Sequence, residues 1–256
     1  ARWEHAGTGD DAVYVSWHTN GATGTPQWSY SGTETYAHNN EGLQRTPGSL
    51  SLRDAIHDEV VRDIRAGWDP SWIDRGKKVA NLGELRLLWD DDSLTRMPGA
   101  LIEIGFHDHP GDTDKLKDPR FNQLVARALY QGIVKYFSAG AALLPEPPHA
   151  PAVENAGNVA VRLSWEASRT DGLGLVGHEA TGYRVYTSDN GVGWSNGVSV
   201  GNTTEYVIQG LGSGQLLFVR VTATNSGGES FPTETLAVRV GDTADLLLVN
   251  GFDRIN

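Results

Sequence analysis

The chain has 256 residues, of which 39% are hydrophobic and 21% charged, with a formal net charge of −11 and no cysteine. That length suits two ordinary globular domains, and the acidic balance argues against a nucleic-acid footprint or a broad patch for anionic membranes. The absence of cysteine excludes a disulfide framework and a thiolate metal site; no signal-peptide pattern is visible in residues 1–256, and no apolar run is long enough to span a bilayer.

Residues 1–11 read as a helix end breaking into a glycine-rich turn, and residues 12–18 as a strand. Alternation puts Val13, Val15 and Trp17 on one face and Tyr14, Ser16 and His18 on the other. The turn-rich run Thr19–Pro26 follows, so His18 sits at a strand end beside a loop. A second short strand is expected over Gly32–Ala37. Residues 50–66 carry Leu52, Ile56, Val60 and Ile64 at four-residue spacing, the period of an amphipathic helix, with Gly67 suited to its end. Residues 77–89 read as a second helix on Val79, Leu82, Leu85 and Leu88, followed by a solvated charged turn at Asp90–Ser93.

Gly99–Phe106 reads as a strand covered on both faces, with one carboxylate, Glu103, among Leu101, Ile102 and Ile104. A buried unpaired carboxylate is costly, so Glu103 requires a cation, a metal or a proton; pairing with an Arg or Lys, or exposure at an edge, would also satisfy it. The polar run His107–Gly111 is expected to be a loop. Its His-x-His pair reads as a solvated turn, with metal binding or shaping of a cleft as the alternatives. Asp118 is a candidate N-cap with Pro119 at the first helical position, opening a helix to Phe137 whose Phe121, Leu124, Val125, Ala128 and Leu129 face the core. Strands alternating with helices make residues 1–137 an α/β domain with a mostly parallel or mixed sheet.

Residues 138–151 form a proline-bearing linker. Over residues 152–241 the helical period disappears. Short strands recur at Val159–Trp165, Gly182–Ser188, Val198–Val200, Glu205–Gln209, Leu216–Thr224 and Thr235–Val240, the pattern of an all-β sandwich. Residues 242–256 are a tail or the start of a further domain, with a strand over Asp245–Phe252.

His18 and Glu103 are the two strand-end groups with chemistry to offer. Neutral imidazole is a common zinc ligand, and a carboxylate is the usual base in metal-assisted hydrolysis. On local pattern alone, His18 also fits a structural histidine. Val13–Asn20 resembles the "FVSIHAN" strand of the zinc-dependent N-acetylmuramoyl-L-alanine amidases, the Amidase_3 family. Gly32–Tyr36 resembles that family's "G-x-E-x-Y" strand, Asp74–Lys78 its "RG-x-K" helix start, and Arg96–Phe106 its "K-M-P-A-V-L-V-E-x-G-F" strand. The resemblance covers roughly residues 1–137. It implies a hydrolase that cuts the amide between the lactyl group of N-acetylmuramic acid and L-alanine in peptidoglycan, in the periplasm or outside the cell. It further implies His18 as a Zn2+ ligand, Glu103 as the catalytic carboxylate, and Asn20 and His107 on the substrate side.

The family's other two zinc ligands, a His in a "D-P-G-H-G-G" strand end and a Glu on a following helix, have no counterpart in this sequence, and Glu4 and His5 lie in no comparable motif. They are expected upstream of residue 1, so the chain reads as an amidase lacking its N-terminal part and inactive by itself. The alternatives are a non-catalytic cell-wall binding or scaffold protein on a degenerate amidase fold, or a zinc metallopeptidase.

The second domain resembles fibronectin type III. Trp165 matches its buried strand-B tryptophan, Tyr183 its strand-C aromatic, and Leu211 and Val219–Asn225, followed by Gly228–Ser230, its E–F turn and F strand. Leu217 stands where that family keeps a corner tyrosine. The resemblance implies a spacer or a weak carbohydrate- or protein-binding module. Trp194 and Tyr186 are its candidate contact aromatics, with core packing the expected fate of each.

Overall fold

The computed structural model describes residues 12–22, 29–38, 46–86 and 97–241. The expectations for residues 1–11, for the charged turn at 90–93 and for the strand at 245–252 lie outside the described residues. The chain divides into two compact units between Ala141 and Ala142.

The first unit is a four-stranded mixed sheet with two long helices on one face. Strands β1 (Tyr14–Asn20), β2 (Thr33–His38), β3 (Asp74–Ala80) and β4 (Gly99–Phe106) lie in the order β1-β4-β2-β3. β4 runs parallel to β1 and antiparallel to β2, and β2 runs parallel to β3. β4 lies between β1 and β2, and every residue of it but Glu103 is buried. Its Ala100, Ile102 and Ile104 pack against helix α1 (Ser49–Gly67) and helix α4 (Pro119–Phe137). The two helices contribute the stripes Leu52, Ile56, Val60, Ile64 and Phe121, Val125, Ala128, Leu129, as their periodicity requires. Gly132 lets the helices approach closely, since a Cβ there would lie 2.8 Å from the Ile56 Cα. Asp118 caps α4 by accepting from the Arg120 N–H at 2.9 Å.

Two expectations are corrected. The helix expected over 77–89 is absent up to residue 82. Asp74–Ala80 is a strand paired with β2, and only the short α2 (Gly83–Arg86) is helical, with 87–96 outside the described residues. Gly76 has φ +91, which no helix accommodates, and it sits at a bulge where Thr33 faces Asp74 and Glu34 faces Gly76. Pairing with a buried neighbour strand overrides a weak apolar period. The loop expected at 107–111 gives way at Pro110 to helix α3 (Pro110–Leu116), with Pro at its first turn and the His109 side chain as N-cap acceptor for the Asp112 N–H.

The second unit is a two-sheet sandwich. One sheet is β5-β6-β9 (His149–Asn155, Val161–Glu166, Glu205–Ile208). The other is β11-β10-β7-β8 (Gly228–Glu229, Leu216–Asn225, Gly182–Ser188, Val198–Gly201), with β12 (Leu236–Arg239) also on β10. Strand β5 begins inside the stretch read as linker, because its alternation is hidden by Pro151. The core holds Val161, Leu163, Trp165, Tyr183, Val185, Leu217, Val219 and Val221, with the Trp165 and Tyr183 rings 5.5 Å apart. Leu217 is buried at the corner. Tyr186 and Trp194 are not core residues as expected. Both are half-buried, and both rings lie against the Arg220 guanidinium, at 5.6 and 4.0 Å.

Candidate active site

Sheet register brings His18, Glu103 and Glu34 into one row. His18 faces Glu103 across β1 and β4, and Glu34 faces Glu103 across β4 and β2. Directly paired residues share a face, and alternation along β4 puts this face opposite the one that Ile102 and Ile104 present to the helices. The order of the strands thus places groups about 85 residues apart in the chain within one side chain of each other.

His18 Nε2 lies 2.8 Å from the Ser16 hydroxyl and 3.9 Å from Glu84 Oε1, a carboxylate on α2 that no sequence motif had indicated. Glu103 is half-buried, and its Oε2 is buried with no hydrogen-bond partner among the described residues. Burial pushes its carboxyl above the ordinary range; Glu34 and Glu84 add to that push, and the imidazoles of His18 and His107 oppose it.

Glu34 is in the reverse condition. Its side chain is 4% exposed and every lone-pair direction is taken. Asn20 Nδ2 donates to Oε1 at 2.6 Å and the Tyr36 hydroxyl at 2.7 Å, while Arg75 Nε donates to Oε2 at 2.8 Å and Lys78 Nζ also bonds it. Burial alone would raise this carboxyl, but the bonds from Lys78, Tyr36 and Arg75 outweigh it and hold Glu34 below its usual range. Asn20 therefore has its amide nitrogen on Glu34, and its Oδ1 accepts from the Gly21 N–H at 2.8 Å. Sequence reasoning quoted Glu34, Arg75 and Lys78 inside matching motifs without giving them a role. The available signal was a lone carboxylate in a strand of Thr, Tyr, Ala and His.

The loops at the strand ends are tied together. His107 donates its backbone N–H to the Asn20 carbonyl at 2.9 Å, its Nδ1 lies 3.4 Å from Thr19 Oγ1, and its ring fills the space where a Cβ on Gly21 would be. His109 faces away to cap α3, so the His-x-His pair does not converge. Buried Asp112 accepts from Ser31 Oγ at 2.6 Å, Gly32 N at 3.0 Å and Phe106 N at 2.9 Å, joining the start of β2 to the end of β4.

A zinc centre would find one imidazole and one orphaned buried carboxylate oxygen here, a ligand and a base. Among the described residues no group of three side chains able to hold a metal occurs. The residues present fit one edge of such a centre.

The architecture is that of an amidase-like α/β domain followed by a fibronectin type III-like sandwich. Residues 1–135 match the family model of N-acetylmuramoyl-L-alanine amidase, more than half of the chain, and residues 146–239 match that of the fibronectin type III domain. The chain belongs to the N-acetylmuramoyl-L-alanine amidase family. It is 33% identical over 125 residues to the N-acetylmuramoyl-L-alanine amidase CwlM of Bacillus licheniformis, covering 49% of this chain and 40% of the relative. It is 32% identical over 125 residues to the sporulation-specific N-acetylmuramoyl-L-alanine amidase of Bacillus subtilis, with the same shares, 49% and 40%. The chain thus spans less than half the length of these curated relatives. A crystal structure of an N-acetylmuramoyl-L-alanine amidase from Clostridium difficile 630 is 25% identical, with a TM-score of 0.40, covering 50% of this chain and 59% of that one.

Proposed function

We propose that the first unit hydrolyses the amide between the lactyl group of N-acetylmuramic acid and L-alanine in peptidoglycan, with Glu103 as general base and zinc as cofactor. The observation that carries this reading is Glu103 itself. It is a carboxylate on an interior strand, directly opposite an imidazole, with one buried oxygen unpartnered among the described residues. Family membership supplies the substrate class.

Zinc, with His18 as one ligand, supplies Lewis acidity at the scissile carbonyl when bound. Glu103 takes a proton from the attacking water and returns it to the leaving nitrogen, so the C–N bond breaks to a lactyl carboxylate and a free alanine amine. Burial suits Glu103 to the task by making it more basic than a solvated carboxylate. Asn20 keeps Glu34 in place, and His107 bounds the cleft where the β1 and β4 loops meet. The remaining zinc ligands come from outside the described residues; a single imidazole holds catalytic zinc weakly. Action on the wall polymer places the protein in the periplasm or outside the cell, with the sandwich as a spacer or a module that contacts carbohydrate or protein.

The test, on a chain that carries the remaining ligands, pairs metal analysis with release of the alanine amine from a muramoyl peptide. Glu103→Gln is expected to lower turnover by about 10³-fold while leaving zinc content unchanged. His18→Ala is expected to lower zinc content. Full turnover by Glu103→Gln removes Glu103 from the mechanism.

A further inference from the structure

Arg75 is the extra residue of the β3 bulge, between Asp74 and Gly76. Its guanidinium is held on several sides. Nε donates to Glu34, and the guanidinium carbon lies 4.7 Å from the Tyr30 ring centroid and 4.9 Å from that of Phe106. Its side chain is still 22% exposed. Only Nε is engaged, and the two terminal nitrogens have no hydrogen-bond partner among the described residues. Arginine carries five N–H donors in a planar fork, and four of them remain unused here.

Glu34 does not need both of its cations. Lys78 alone balances its charge, and Asn20 and Tyr36 fill its other oxygen. The Arg75 fork is thus fixed in orientation before any ligand arrives, with its terminal nitrogens unspent. Such a fork matches a planar carboxylate in two parallel bonds. Arg75 stands two strand spacings from Glu103, about 10 Å across the sheet. That is within the reach of the first two or three residues of an extended peptide attached at the scissile amide.

We propose that Arg75, with Lys78 beside it, is a carboxylate subsite that reads the peptide on the amine side of the scissile bond. This rests on the amidase reading above, under which the acyl side is an uncharged N-acetylated sugar ether and the ionised groups lie along the peptide. Arg75 is then a binding residue, and Glu34 the residue that positions it.

The experiment measures binding and turnover separately. Titration calorimetry compares a stem tripeptide with free carboxylates against its fully amidated twin, on the whole chain and on Arg75→Gln and Arg75→Lys. Wild type is expected to bind the carboxylate form about tenfold or more tightly, Arg75→Gln to bind both forms as weakly as wild type binds the amide, and Arg75→Lys to fall between. The wild-type comparison needs no variant, so a folding defect in Arg75→Gln leaves the inference testable. Equal affinities in wild type, no binding of either peptide, tighter binding of inorganic phosphate, or an undiminished preference in a folded Arg75→Gln each overturns it. Cleavage of the muramoyl–alanine bond with no carboxylate preference overturns the subsite and leaves the amidase reading standing. Carboxylate preference with cleavage confined to ordinary peptide bonds does the reverse.

Discussion

Glu34 and Glu103 face each other across β2 and β4 under opposite electrostatic conditions. One is saturated with donors and held ionised; the other is buried with an oxygen to spare. Pairs of carboxyls pushed apart in this way divide the work of a site, one structural and one reactive. Another buried carboxyl, Asp63 on α1, has a consequence that can be measured on the folded chain without substrate. Its side chain is 1% exposed, and burial lifts it to about 6 against the pull of Arg62. In the unfolded chain it ionises near pH 4. Between those values the unfolded chain has lost this proton and the folded chain has kept it. The stabilisation is therefore fully present below about pH 4 and is lost as pH rises through about 6, by about 3 kcal/mol at most. Urea melts from pH 4 to 7 should show Asp63→Asn gaining on wild type as pH rises; parallel curves would remove Asp63 from the pH dependence. His18 and Glu103 stand out in the sequence as polar residues in the later part of two short strands, and the sheet register sets them side by side. The role of Glu34 was not legible there, because its cations arrive from 41 and 44 residues away and only strand register reveals them.

At the scale of elements, the ends of β2 and β4 are clasped by one residue of α3. Asp112→Ala would leave the Gly32 and Phe106 N–H groups without acceptors in a buried place. The expected cost is about 2–4 kcal/mol, read as a lower urea midpoint, together with weaker protection of both amides from hydrogen exchange. Unchanged exchange at both positions would show that the clasp holds nothing. Helices α1 and α4 were legible to within a residue, since four-residue apolar spacing, Asp118 and Pro119 are local signals. β3 was not. Val79 and Leu82 imitate a helical stripe, and the decisive facts, a left-handed Gly76 and a free edge on β2, belong to the backbone and to the neighbouring strand. The start of α3 was missed because His109 caps it through a ring nitrogen, a rarer device than the hydroxyl or carboxylate that marks most helix starts.

At the scale of the whole molecule, each unit has its own core. The sandwich's Trp165, Tyr183, Val185 and Val219 are packed with residues of the same unit. Residues 142–241 expressed alone are expected to melt cooperatively and keep the near-ultraviolet signal of the Trp165–Tyr183 pair; a broad, featureless transition would mean that this core is not self-sufficient. The first unit has a different history written into its strand order. β4 enters between β1 and β2 last in chain order, so His18 meets Glu103 only after a loop of about 85 residues has closed, a step whose entropic cost comes before its reward. During synthesis, the chain carries its histidine long before it carries its glutamate. The pairing of His18 with Glu103 is therefore a late event in the life of each molecule, made only when β4 has slid into place.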